Sequence, residues 1–389
     1  MACLFTPFTM GKVTLKNRFV FSACEDNLCD NNGSITNKVI RKNQKLARGE
    51  VALIISSQAY VHPLGRSRIG QPGIHSDKMI PGLRNLASAV HDEGGKFVFQ
   101  LGHAGINAQE KVIGRQPLGP STKTGGMTKE EIREVIHAYG EAAMRATEAG
   151  ADGIQLHAAH GYLINQFLSP FYNHRDDIWG GSEENRFRLL KEIIKEVKKN
   201  MAAGMILLVK LNSHDYTPQQ GITPPLAANY ARRLADERID ALEVSCGNSA
   251  LAPWNLSRGE VPVKEILGIV PEEKRTRARE TLEKIKDNFK IEEGYNLNST
   301  MLLKQSAGEI CIFAVGGWRH FQAMGDAVTA GQTDLISMCR PLIREPSLIR
   351  KFKEGRVAVS SCINCNRCMI ALAHNLPGRC YYKGLPDSV

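Results

Sequence analysis

A chain of 389 residues, 42% hydrophobic and 23% charged, can bury a large core, either as one big α/β barrel or as two or three domains. Its formal charge of +10 comes without Lys/Arg runs interleaved with aromatics, and aromatics are only 6% of the chain, which argues against nucleic-acid binding. No apolar run approaches the roughly 18 residues of a membrane span, and MACLFTPFTMGKVTLKNR has neither the basic leader nor the apolar run of a signal peptide. The expectation is therefore a cytoplasmic protein without membrane or nucleic-acid partners, whose ten cysteines are thiols, ligands or core residues rather than disulfides.

In chain order, eight short apolar runs alternate with amphipathic stretches: RFVFS around Phe19, VALIIS from Val51, KFVFQL from Lys96, DGIQLH from Asp152, ILLVKL from Ile206, ALEVS from Ala241, CIFAV from Cys311 and LISMC from Leu335. Runs that are apolar throughout suit strands buried on both faces, and helices between them imply parallel pairing. Thr128 and Glu131 form a candidate capping box, Ser182 a candidate cap for the next helix, and Gly331 a helix end. No GxGxxG follows any of the strands, so a doubly wound dinucleotide fold is disfavoured and a (β/α)8 TIM barrel is predicted. The stretch Gly247–Asn298 is too long for an ordinary loop and reads as an insertion after strand 6, either a solvated decoration or a substrate lid. The predicted division is a barrel over residues 1–355 and a short Cys-rich C-terminal extension over residues 356–389.

The segment LHAAHGYLINQFLSPFYNHR begins at the C-terminal end of the fourth predicted strand, where a barrel presents its catalytic groups. His157 and His160 lie three residues apart and Tyr162 follows. Two imidazoles can bind a carbonyl oxygen on which negative charge develops, and a nearby phenol can give its proton to the adjacent carbon.

This segment, continued through DDIWGGSEENRFR, closely resembles the signature of the old yellow enzyme family in its NADH:flavin oxidoreductase branch. Matching stretches include LFTPFTMGKVTLKNR, LGRSRIG with SDKMIPGLR, FQLGHAG, and AVGGWRHFQAM with DLISMCRPLIREP, so the resemblance covers nearly the whole chain. It implies FMN across the barrel mouth and hydride transfer to the β-carbon of an α,β-unsaturated carbonyl or carboxyl compound. His157 and His160 would hold the carbonyl, Tyr162 would protonate the α-carbon, and NAD(P)H is a candidate electron donor.

Carried over position by position, Gln100 matches the family's glutamine at the pyrimidine edge of the ring, and Gln58 stands where a small residue is common. Lys210 replaces the usual arginine near N1, keeping the charge but losing the planar fork. Gly316, Gly317 and Arg340 fall in the loops after strands seven and eight, where barrels hold phosphate. Cys339 replaces a usual glycine, and Ala23-Cys24-Glu25 replaces the usual residues under the flavin. Cys24 and Cys339 read as small packing residues rather than redox groups.

Cys362, Cys365 and Cys368 have CxxCxxC spacing and Cys380 returns later, a pattern closer to a [4Fe-4S] cluster than to a zinc ribbon. The resemblance supports this, because the branch containing 2,4-dienoyl-CoA reductase and trimethylamine dehydrogenase carries such a cluster after the barrel. Those proteins continue into FAD- and NAD-binding domains, whereas the sequence read here ends at Val389. Electrons are therefore expected either from a ferredoxin-like or flavoprotein partner or directly from NAD(P)H. From Arg340 to Lys383 nine Lys or Arg residues face two acids, a patch suited to an acidic redox partner or an anionic substrate. The alternatives carried forward are an amine or C–H dehydrogenase and an electron-transfer subunit without an organic substrate. A homo-oligomer is compatible with all of them.

Overall fold

The structure is a computed structural model that describes residues 2–121 and 126–386. Each expected apolar run supplies one barrel strand: Phe19–Phe21 (β1), Leu53–Ile55 (β2), Lys96–Gly102 (β3), Gly153–Ala158 (β4), Ile206–Asn212 (β5), Ala241–Ser245 (β6), Cys311–Val315 (β7) and Ile336–Met338 (β8). Consecutive strands pair in parallel, and Ile336 of β8 pairs with Phe19 of β1 to close the sheet. A further short strand, Ala59–Tyr60, pairs with the end of β3. The sequence reading did not anticipate it.

Helices Asn37–Arg48 (α1), Ile80–His91 (α2), Lys129–Glu148 (α3), Glu183–Asn200 (α4), Pro224–Asp236 (α5), Leu297–Ala307 (α6), Phe321–Thr329 (α7) and Leu348–Lys353 (α8) intervene between strands or follow the last. In α3, Ile132, Val135, Tyr139, Ala142, Ala143 and Ala146 are buried, at the three- and four-residue spacing of one helix face. Thr128 and Glu131 close the expected capping box, and the Ser182 side chain caps α4. Gly331 follows α7 with φ +68°, a left-handed conformation that ends the helix at little cost for glycine. Among the described residues, no helix is long and apolar enough to cross a membrane.

Side chains along a strand alternate between the two faces, so the barrel interior is built in steps of two residues. The lower steps are apolar: Val20, Leu53, Val98, Leu208, Ala241 and Phe313 pack together, and the N-terminal hairpin Phe8–Met10/Val13–Leu15 closes that end with Met10, Val13 and Leu15. Two residues further along several of these strands the inward positions become polar: Ser22, Gln100, Lys210 and Glu243, all buried.

The insertion after β6 divides into two parts. Its helix Arg275–Ile285 has no buried side chain, as a solvated decoration would. Trp254, Leu256 and Tyr295, by contrast, line the cavity at the barrel mouth. After α8 the chain crosses that mouth and forms helix Arg367–Ala373 (α9), whose Met369 and Ile370 line the same cavity. Asn366 ties these parts together: its amide donates to the carbonyls of Ser257 and Glu260, at 2.9 Å each, and its oxygen accepts from Arg340 at 2.6 Å.

Candidate active site

His157 is an inward residue of β4, and the chain reverses immediately after the strand. His160 sits at φ +64° and Gly161 at φ +80°, a left-handed pair in which the histidine is held against its backbone preference. Neighbouring side chains fix the turn. Asn165 Oδ1 accepts from the Gly161 N–H at 2.7 Å, and Gln166 Nε2 donates to the Gly161 carbonyl at 2.6 Å. The reversal places the His157 ring 5.0 Å from that of His160 and 4.9 Å from that of Tyr162, centroid to centroid. The three residues singled out in the sequence thus share one wall of the cavity.

Burial, reinforced by the charge of Lys210, holds both imidazoles well below the ordinary histidine pKa; His160 is lowered further by His157. Both are therefore neutral at pH 7. His160 Nε2 lies 2.7 Å from Ser245 Oγ, whereas the buried Nδ1 of His157 has no protein partner.

Glu25, expected only as part of the segment under the flavin, and Arg68, to which no site role was given, complete it. The Tyr162 hydroxyl donates to Glu25 Oε1 at 3.2 Å, and Arg68 Nη2 meets Glu25 Oε2 at 2.8 Å. Burial, and next the Glu25 charge, push the phenol above its usual range, so the proton stays on Tyr162. The motif LGRSRIG contains Arg68, but nothing local to it points at Tyr162.

Beneath this wall Glu243 organises a network that had not been anticipated either. Its carboxylate accepts from Ser22 (2.7 Å), Ser337 (2.6 Å) and Gln155 (2.9 Å), and lies 3.4 Å from Lys210 Nζ. Burial alone would raise its pKa, but Lys210 and these donors together hold it below the usual carboxylate value. Lys210 also donates to Ser22 at 2.8 Å, and Gln100 to Gln155 Oε1 at 2.7 Å. The one detectable signal was an acid in the middle of the otherwise apolar run ALEVS.

These side chains surround a cavity of about 410 Å³ that also receives Ala23, Cys24, Gln58, Gly316, Gly317, Cys339 and Arg340. Gln58 is buried with both polar atoms of its amide unpartnered. An amide so exposed to the cavity asks for a ligand edge that both donates and accepts, and the pyrimidine edge of a flavin is such an edge. Gly317, at φ +72°, brings backbone into the mouth where a Cβ would strike the Glu292 carbonyl at 2.4 Å. Donors and space therefore fit FMN, with Gln58 offering a freer amide than Gln100.

Cys362, Cys365, Cys368 and Cys380 all border one small cavity of about 20 Å³ beside Arg340. Among the described residues, no three His, Cys, Asp or Glu side chains converge closely enough to hold a metal ion. The thiols share a neighbourhood without forming a closed ligand set.

A closed parallel barrel with imidazoles, a phenol and a flavin-sized cavity at its C-terminal mouth defines a barrel oxidoreductase. The family profile described as NADH:flavin oxidoreductase / NADH oxidase matches residues 3–256. The chain belongs to this family, the old yellow enzyme family of FMN-dependent NAD(P)H:flavin oxidoreductases. It is 30% identical over 381 residues to a 4,4'-dithiodibutanoate disulfide reductase of Rhodococcus erythropolis, covering 94% of this chain and 92% of that one. It is 40% identical over 271 residues to an NADPH dehydrogenase of Geobacillus sp. (strain WCH70), covering 68% of this chain and 79% of that one. Among solved structures, a 2-naphthoyl-CoA reductase in complex with 2-naphthoyl-CoA superimposes with a TM-score of 0.83 at 27% identity, covering 97% of this chain. The chain spans only 56% of that longer protein.

Proposed function

We propose that this chain is an ene-reductase that saturates the electron-poor C=C bond of an α,β-unsaturated carbonyl or carboxyl compound. The observation that carries the reading is the unpartnered Nδ1 of neutral His157 beside His160 and Tyr162 in one cavity wall. A neutral imidazole can donate a hydrogen bond to the substrate oxygen without bringing a full charge into a buried site, and the bond strengthens as negative charge develops there. Tyr162 holds the proton for the α-carbon. Its O–H rests on Glu25, which Arg68 keeps in place, and rotation about the C–O bond turns the proton toward a carbanion-like carbon. Gln58 and Gln100 would hold the ring edge, Lys210 would supply positive charge near the ring, and Gly316, Gly317 and Arg340 would receive the phosphate end. When bound, FMN supplies the hydride chemistry, between a reduced nicotinamide and the alkene β-carbon.

The same reading assigns Cys362, Cys365, Cys368 and Cys380 as the residues that would hold a [4Fe-4S] cluster, which would supply electron-relay chemistry there. It is supported by their spacing and by the one cavity they border. It also divides the chain into a flavin-binding barrel, residues 1–355, and a cluster-bearing extension, residues 356–389.

Steady-state turnover of an α,β-unsaturated ketone tests the central assignment. Tyr162→Phe should lower kcat by about 10²-fold or more while leaving flavin absorbance unchanged; full activity would remove Tyr162 from the mechanism. Iron absorbance in the purified protein tests the cluster. Rapid, saturable bleaching of the flavin by NADPH would eliminate an obligatory ferredoxin-like or flavoprotein donor.

A further inference from the structure

We propose that Asp215 is a positioning residue for the His160–Gly161 turn: buried behind the site, it aligns Asn165 and Asn212 so that their side-chain oxygens hold the backbone N–H groups of Gly161 and His160. This role rests on the reading of His160 as an oxygen-binding imidazole. The turn is strained. His160 has φ +64° and Gly161 φ +80°, and a left-handed histidine persists only where its surroundings impose that conformation.

Two amides impose it. Asn212, the last residue of β5, accepts from the His160 N–H through Oδ1 at 3.2 Å. Asn165, in the short helix Leu163–Leu168 after the turn, accepts from the Gly161 N–H in the same way at 2.7 Å. A side-chain amide has nearly the same shape when turned end for end, and an inverted one would set a donor against each of these N–H groups. The far end of each amide settles its orientation. Asn165 Nδ2 donates to Asp215 Oδ1 at 3.1 Å, and Asn212 Nδ2 donates to the same oxygen at 2.8 Å. An ionised carboxylate only accepts, so it admits both amides one way round.

The carboxylate is itself anchored away from the turn. Its Oδ2 accepts from the Ile222 N–H at 2.9 Å, and the Asp215 N–H donates to the Ile222 carbonyl at 3.0 Å. Asp215, Asn165 and Asn212 are all fully buried, so solvent does not replace a partner that is lost, and hydrogen bonds to a charged acceptor are stronger than those between neutral groups. Asn212 Nδ2 also donates to the Gly247 carbonyl at 2.7 Å, just after β6, while Ser245 at the end of β6 meets His160 Nε2 at 2.7 Å. The backbone of His160 is thus referenced to the end of β5 and its ring to the end of β6, with Asp215 orienting the amide that joins them.

Asp215→Asn keeps the shape but supplies a group that donates as well as accepts. In amide-resolved hydrogen exchange of the holoprotein, followed by NMR, the His160 and Gly161 N–H groups should accelerate about tenfold more than those within β4. Equal acceleration throughout β4 would mark a general loss of stability and overturn the proposal, as would unchanged exchange at both N–H groups. Initial rates with an α,β-unsaturated ketone give the functional readout. In Asp215→Asn kcat/KM should fall about tenfold, and in a His160→Ala background the same change should have almost no effect, because no ring remains to be placed. The same tenfold loss in both backgrounds would show Asp215 acting elsewhere and overturn the proposal. If Asp215→Asn does not fold, Asn212→Ala removes one amide, leaves the carboxylate two donors, and should give the same exchange at the His160 N–H and the same kinetic pattern; wild-type behaviour in both overturns the proposal. A wild type that leaves the ketone unreduced counts against the ene-reductase reading alone, since hydrogen exchange needs no substrate and still decides the role of Asp215.

Discussion

The lower half of the barrel interior and its upper half are made by the same strands, two residues apart, yet they do different work. Below, Val20, Leu53, Val98, Leu208 and Phe313 fill the lumen, and the N-terminal hairpin seals it. Above, Ser22, Gln100, Lys210 and Glu243 replace hydrocarbon with a hydrogen-bonded network beneath the imidazoles. Dispersion and the hydrophobic effect hold the lower end, where each buried aliphatic side chain contributes about 1.5–3 kcal/mol. The upper end depends on mutual satisfaction, because each polar group there would be costly to bury alone. One end of the lumen makes the fold stable, and the other positions the chemistry.

Removing one member from each end tests that division. Glu243→Leu should have the largest effect: it leaves Lys210 charged and unpaired in the interior, at a cost of about 3–5 kcal/mol, and flavin retention should fall with it. Urea unfolding and the flavin-to-protein absorbance ratio measure the two losses. Leu15→Ala, at the sealed end, should cost about 3 kcal/mol through cavity formation but leave flavin content and KM unchanged. If both variants lost flavin equally, the two ends would not be independent.

A smaller effect is expected at Glu25, which touches Tyr162 but not the lower core. Glu25→Gln keeps a hydrogen-bonding oxygen while removing the charge that pairs with Arg68, and kcat should fall about tenfold, or about 1.4 kcal/mol. In a Tyr162→Phe background the same change should have almost no effect, and a full additional tenfold loss would show Glu25 acting elsewhere. The last effect is invisible at neutral pH. Because His157 and His160 are lowered in the folded state, the unfolded chain binds more protons on acidification. Their contribution to stability is therefore constant above the ordinary histidine pKa of about 6.5 and is lost progressively as pH falls below it. Replacing His157 by Asn should flatten the decline in denaturation midpoint below that pH, whereas Leu15→Ala should shift the whole curve without changing its slope.

By itself the sequence determined what depends on local order: eight strands buried on both faces, helix caps at Thr128 and Ser182, and the His157–His160–Tyr162 turn. These are legible because periodicity, capping and short spacing act over a few residues. Strand ends were less legible, since some apolar runs continue past the paired residues while the strands from Lys96 and Ile206 run one residue beyond theirs. VALIIS contributes only Leu53–Ile55 to the sheet. The tertiary structure alone decided which distant groups meet. Glu25 reaches Tyr162 across 137 positions and Ser22 reaches Glu243 across 221, separations that no local pattern encodes. It also gave Gln58 rather than Gln100 the unpartnered amide. The physical reason is common to all of these: barrel closure brings β1 against β8 and lines up inward steps from different strands at one height, so the site's chemistry is set by register around the barrel rather than by order along the chain.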